Sequence, residues 1–261
     1  MMKESKFIIS LWRVNLASAL EYRIAFITQS IGMILNDGVY FLVWIIFFNR
    51  FKDIHGWQLP DMFIVFGVSA AAFGLAGILF GNAFNLGEII VNGRLDYYLS
   101  LPRPTLLHVI ASRTVPSGMG DVIYGFFSYI VSGQFNLAGF GRFIVATILA
   151  MIVFISFLIM VQSLSFWLGT GGTLTGIAIN AMVTFAIYPI TLFNNAAKLI
   201  LFIIVPAAFM GAVPASFIRS FTWSSIGLLL LATIGFSSLA VLIFNRGLKR
   251  YESGSAFQIE V

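Results

Sequence analysis

The chain has 261 residues, of which 59% are hydrophobic and only 10% charged, against about 25% charged in a soluble domain. One soluble core cannot hide that much apolar surface, so lipid is the expected solvent and an all-α integral membrane protein the expected class. The net charge of +5 lies beside the apolar runs and reads as membrane topology rather than a nucleic-acid footprint, and the absence of cysteine excludes disulfides and thiolate metal sites.

Residues 3–20 predict an amphipathic helix lying at the membrane surface. Ile8, Trp12, Leu16 and Ala19 share one face, and Lys3, Lys6 and Arg13 the other. Six apolar runs then approach the roughly 20 residues a helix needs to cross a bilayer: 24–48, 62–83, 106–131, 143–168, 174–197 and 224–244. The first is too long for a signal-peptide core and no small-residue cleavage site follows it, so no cleaved leader is expected. Between the fifth and sixth runs, residues 199–218 are apolar but carry Pro206 and Pro214. This stretch is either a seventh crossing or two half-helices dipping into the outer leaflet. With six spans and a cytoplasmic N-terminus, Lys3, Lys6, Arg13, Arg23, Arg94, Arg103, Arg113, Arg246, Lys249 and Arg250 fall inside. Arg50, Lys52, Arg142, Lys198 and Arg219 fall outside. Seven spans would move the last three inside cations out, so the positive-inside rule favours six, with both termini cytoplasmic.

The most informative non-membrane segment is 92–113, NGRLDYYLSLPRPTLLHVIASR. Gly93 is a natural helix stop, Leu95, Tyr98 and Leu99 recur at i, i+3, i+4, and Pro102 and Pro104 force extended chain. That pattern builds a short amphipathic helix pinned at a membrane surface, where a partner would push.

Enzyme signatures are missing. His55 and His108 are the only histidines and fall on opposite sides of the membrane, so neither a histidine metal site nor a Ser–His pair is expected. No G-x-x-x-x-G-K-[ST] loop is present, and Gly169-Thr170-Gly171-Gly172 reads as a tight turn before the fifth span. Inside the spans, Asp37 lies midway along the first, beside Asn36 and Gly38, where a bare carboxylate costs about 2.5–3.5 kcal/mol or more. Asp121 lies at similar depth in the third span, and Arg113 nearer its cytoplasmic end. These residues either line a substrate route or fix helix packing through interhelical hydrogen bonds. Gly77-x-x-x-Gly81 and Gly172-x-x-x-Gly176 are close-packing motifs, and the 28 phenylalanines carry no substrate information.

Three segments in order carry a family resemblance. They are Trp12-Arg13 with Glu21-Tyr22-Arg23, then Gly93-Arg94-Leu95-Asp96 followed by Leu99 and Leu101-Pro102-Arg103-Pro104, and finally Phe244-Asn245-Arg246-Gly247-Leu248-Lys249-Arg250-Tyr251-Glu252-Ser253. Together they resemble the membrane subunits of ABC-2-type exporters, a bacterial subgroup formerly catalogued as a domain of unknown function. The resemblance covers essentially the whole chain.

It implies a single transmembrane domain with six helices, an N-terminal interfacial helix, a cytoplasmic coupling helix within 84–105 and a re-entrant element over 199–218. It also implies a permease in the bacterial cytoplasmic (inner) membrane, multi-pass and paired with a second permease, identical or homologous. Two copies of a separate ATP-binding subunit would hold ATP and magnesium, leaving this chain with no cofactor, metal or catalytic residue. Glu88, Arg94, Asp96, Pro102 and Arg103 would then face the ATPase, if they are not solvated loop charges. The resemblance also suggests export of hydrophobic or amphiphilic cargo. Two rivals remain: an ion-coupled secondary transporter using Asp37 and Asp121, and an assembly factor without transport.

Overall fold

The computed structural model of the protein describes residues 2–170 and 172–251, so Gly171, Glu252 and Ser253 of the segments quoted above lie outside the described residues, as does the Lys3 side chain. Thirteen α-helices and three short 3-10 turns make up the regular structure of the described residues, apart from an isolated bridge between Ile54 and Trp57. In order the helices are α1 (Met2–Glu21), α2 (Arg23–Arg50), α3 (Leu59–Phe80), α4 (Leu86–Val91), α5 (Leu95–Leu99), α6 (Thr105–Ala111) and α7 (Gly118–Val131). They continue as α8 (Leu137–Ser163), α9 (Ser165–Leu168), α10 (Thr173–Ala186), α11 (Asn195–Ile203), α12 (Ala212–Arg219) and α13 (Trp223–Leu248).

Helix starts follow local chemistry. In α3, Pro60 occupies the first turn, where its missing N–H costs nothing, and Asp61 accepts a hydrogen bond from the Gln58 N–H at 2.9 Å. Asn136 caps α8, Asn194 caps α11 and Thr222 caps α13, each accepting from the backbone N–H three residues on. The loop between α2 and α3 turns through His55 and Gly56, both at positive φ, with the Asp53 carboxylate bonded to the Gly56 N–H.

Four stretches are long and apolar enough to cross a membrane: Arg23–Arg50, Leu59–Val91, Leu137–Leu168 and Trp223–Leu248. A fifth candidate is the bent pair Asn195–Ile203 and Ala207–Arg219, with 72° between its arms. Two expected spans are therefore not continuous helices. The run 106–131 is interrupted between Ala111 and Gly118 around Pro116, and the run 174–197 loses its helix at Ala186, ahead of Pro189. In both, proline removes a donor and drives the preceding residue out of helical geometry. The second span is longer than expected, since α3 passes through the 3-10 turn Gly81–Asn85 into α4.

The core is a close pairing of α3 with α7, flanked by α8 and α2. Glycines let the two backbones touch: Gly67 faces Gly125, Gly74 faces Gly118, and Gly77 and Gly81 face Val115 and Arg113. In lipid such close approach supplies the packing that a hydrophobic driving force supplies in water. α8 is the hub on the other side, touching α3, α10, α12 and α13. α1 lies across the ends of α3 and α6 with Ile8 buried and Trp12 half-buried, and with Lys6 and Arg13 exposed, the two faces expected of it.

Candidate functional site

The segment from α4 to α6 forms one end of the molecule, shared with the start of α1 and the end of α13. Gly93, at φ 69°, turns the chain after α4, and its N–H bonds back to the Ile90 carbonyl at 3.2 Å. In α5, Leu95 is fully buried and the Tyr98 hydroxyl meets the Ser112 hydroxyl at 2.8 Å, while Leu99 is exposed rather than on the expected inner face. Pro102 centres a three-residue turn closed by the Arg103 N–H on the Leu101 carbonyl at 2.8 Å.

Three straps hold this segment. The Arg103 guanidinium donates to the Glu4 carboxylate of α1 at 2.6 Å and lies 4.6 Å from the centre of the Phe7 ring. Asp96 faces Tyr251, just beyond α13. Burial, and then the neighbouring carboxylate, push the Tyr251 phenol up to about 12. Finally, α4 packs on α8 and α9.

What remains open is a cleft of about 310 Å³ lined by Asn82, Asn85, Glu88, Ile89, Arg94, Tyr98 and Arg113. On the same segment Tyr97 and Leu99 of α5 are exposed. Of the expected coupling residues, Glu88 and Arg94 share this cleft, whereas Asp96 and Arg103 are engaged within the chain. Arg113, grouped from sequence with the intramembrane acids, belongs to the cleft instead.

Asp37 and Asp121 do come together. Asp121 is 2% exposed and sits in the first turn of α7, because the interruption before Gly118 moves the helix start next to it. Gly120 lets that turn approach Ser30 and Met33 of α2, and the two carboxyl groups lie against each other. They line a cavity of about 330 Å³ between α2, α3, α7 and α10, together with Asn36, Tyr40, Ser69, Asn180 and Thr184 among others.

The bent pair closes one wall of this cavity through Met210, whose carbonyl accepts from Ser69 at 3.1 Å. Its break is residues 204–206, at Pro206, and the second arm opens with the 3-10 turn Ala207–Phe209. Pro214 makes no break: it sits in the first turn of α12, and the first α-helical bond there is donated by Ala215. α12 ends in a clasp at the opposite end of the molecule from α4–α6. Arg219 pairs with Asp61 at 2.8 Å, its guanidinium lying 5.1 Å from the Trp57 ring, and Gln134 donates to the same carboxylate at 3.3 Å.

A family model described as ABC-2 family transporter protein matches residues 34–255, which takes in all the spans but the first part of α2, and includes Asp37, Asp121 and the whole cleft lining. The chain belongs to this family. No curated protein and no solved structure matches it. As an ABC-2 permease the chain is a multi-pass transport subunit of the membrane, and the family implies association with an ATP-binding cassette subunit.

The sequence singled out both acids and the charged residues of the cleft, Glu88, Arg94 and Arg113. It read Tyr98 as part of the α5 face rather than of the cleft, missed Asn82, Asn85 and Ile89, and missed the pairing of Asp61 with Arg219. A carboxylate three residues behind Gln58 at the start of an apolar run was the available signal for Asp61, whereas its distant cation leaves no mark in local sequence.

Proposed function

We propose that this chain is the permease subunit of an ATP-driven ABC exporter in the bacterial cytoplasmic membrane, with α4–α6 as its coupling segment. It works as a pair with a second permease, identical or homologous, on two copies of an ATP-binding subunit that hold ATP and magnesium. The observation that carries this reading is the α4–α6 end itself. A segment strapped to α1, α8, α9 and the chain beyond α13 still leaves Glu88, Arg94, Tyr97 and Leu99 open to a partner. Charged groups give such a contact its register and apolar ones its burial. That end is cytoplasmic in this reading, as the positive-inside rule requires. The clasp of Asp61 and Arg219 then lies outside, and the bent pair is a re-entrant element from that side. The cavity of Asp37 and Asp121 is part of the cargo route.

The test is purification of tagged protein from its host in mild detergent, with identification of what accompanies it and ATPase assay of the eluate. Recovery of an ATP-binding subunit, with retention or activity reduced by Arg94→Glu, supports the reading. A stable preparation without one sinks it.

The adjacent carboxyl groups favour one alternative, an ion-coupled transporter in which Asp37 and Asp121 relay the ion. Proteoliposomes separate the two: uptake driven by a proton gradient without ATPase, and abolished by Asp121→Asn, favours the relay.

A further inference from the structure

Where α3 passes into α4, the 3-10 turn Gly81–Asn85 breaks the regular helical ladder and frees backbone groups that neither helix satisfies. Two of them are met by one side chain from elsewhere. Gln162, in the last turn of α8 and 1% exposed, donates its Nε2 to the Ala83 carbonyl at 2.7 Å and accepts the Gly87 N–H on Oε1 at 2.6 Å. One partner is an acceptor and the other a donor, so the orientation of the amide is set by its surroundings. Ala83 lies in the turn and Gly87 in the first turn of α4, so a single amide grips the turn and the helix that follows it.

Resting on the permease reading above, we infer that Gln162 is a positioning residue that makes the coupling segment and α8 move as one body. Rotation of the turn and α4 against α8 would break two buried hydrogen bonds, each leaving an orphaned polar group. A push on α4 is therefore passed to α8 rather than absorbed at the bend. α8 touches α10, α12 and α13, which include the wall of the acidic cavity and the outgoing arm of the bent pair. A second link closes the circuit: Phe166 of α9 lies 5.6 Å from Phe244 of α13 and 6.0 Å from Tyr251, which faces Asp96 of α5. Bending of α3 relative to α4 then falls ahead of Ala83, between Phe80 and the gripped part of the turn, while the glycine seam with α7 stays closed.

The absence of cysteine allows clean spin labelling. Val91 of α4 and Leu168 of α9 are exposed, as is Ile24 at the start of α2. In the complex with its ATPase, in lipid nanodiscs, labels are placed through Val91→Cys with Leu168→Cys, and separately Val91→Cys with Ile24→Cys. Trapping with ATP and vanadate is expected to shift the second distance and leave the first unchanged. With Gln162→Met, which keeps the volume and loses both bonds, the first distance also shifts on trapping, by about 2 Å or more, while ATP turnover continues. Gln162→Asn keeps the amide on a shorter stem and falls between, a partial rescue that loss of packing alone would not give. Superimposable Val91–Leu168 distances in wild type and Gln162→Met, before and after trapping, overturn the inference. If no ATPase accompanies the protein, or the Val91–Ile24 distance ignores nucleotide, the permease reading fails and this inference with it.

Discussion

Replacing Gly125 by alanine tests whether the α3–α7 seam sets the architecture. A Cβ at that position would lie 2.6 Å from the Gly67 carbonyl oxygen, 2.7 Å from the Ala71 Cβ and 2.8 Å from the Ala71 nitrogen. None of these atoms belongs to a flexible side chain, so the helices themselves must separate. The shortfall from ordinary contact is about 0.8 Å, and a gap of that order forfeits a quarter to a half of the dispersion attraction between facing atoms. Overpacking of this kind costs about 1–3 kcal/mol, or roughly 5- to 150-fold in the folded fraction. Gly141 of α8, where a Cβ meets nothing within 4 Å, is the control, since alanine there changes only helix propensity, by about 1 kcal/mol in the favourable direction at most. Denaturation in mixed micelles, followed by tryptophan fluorescence, should show Gly125→Ala unfolding well below wild type and Gly141→Ala at or slightly above it. Gly67→Ala overpacks the same contact, its Cβ lying 2.9 Å from the Gly125 carbonyl oxygen, and once one substitution has parted the helices the second meets less resistance, so the double variant should cost less than the sum of the two singles. Coincident midpoints for Gly125→Ala and Gly141→Ala would refute the seam.

Removing the carboxylate of the outer clasp by Asp61→Asn leaves Arg219 facing a neutral amide. Because Arg219 is one-third exposed, we expect a loss of about 1–3 kcal/mol rather than the 3–5 of a fully buried pair, read in the same micellar titration. Reversing Arg103 to Glu breaks a pair whose side chains are both about one-third exposed, so stability should fall by about 1 kcal/mol or less. ATPase retention in pull-down should fall more clearly, and the exchange Glu4→Arg with Arg103→Glu should recover part of it. The raised phenol of Tyr251 sets a pH dependence. Its contribution is complete below the unfolded value of about 10 and is lost as pH rises through the folded value of about 12. The thermal midpoint of wild type should therefore fall more steeply across that window than that of Tyr251→Phe; parallel curves would remove Tyr251 from the contact with Asp96.

What was legible in the sequence was whatever contrasted with lipid. Asp37 and Asp121 stood out because a carboxylate in an apolar run is costly, and the inner face of α1 followed from helical spacing alone. The interruptions at Pro116 and Pro189 were harder to see, because a long hydropathy window averages a single proline into its apolar neighbours. Pro206 and Pro214 look equivalent in the sequence and differ in the structure. One stands at a turn, and the other is in a first helical turn where proline is at home. The cleft was half visible, in its charges, but Asn82 and Tyr98 reach it only through the fold.

The interruption of α6–α7 and the bend of α3 belong to one another. The backbone groups that each frees are met by the other: the Gly81 N–H donates to the Arg113 carbonyl at 2.9 Å, and the Val115 N–H to the Gly77 carbonyl at 2.9 Å. Side chains complete the set, with Thr114 on the Ile78 carbonyl, Trp12 on Leu79, Asn15 on Ala111 and Asn82 on Val109. Irregular backbone in a membrane protein persists where protein satisfies it, and here three separate elements do so at one level. Above that level the glycine seam forbids sliding; below it lie only the short helices of the coupling segment. Bending is therefore confined to the two interruptions. If α7 were one unbroken helix from Thr105, Asp121 would sit in mid-helix, and a push on α5 or α6 would drive the whole of α7 past α3 against its glycines. The interruption lets the coupling segment tilt while the first turn of α7 keeps Asp121 against Asp37.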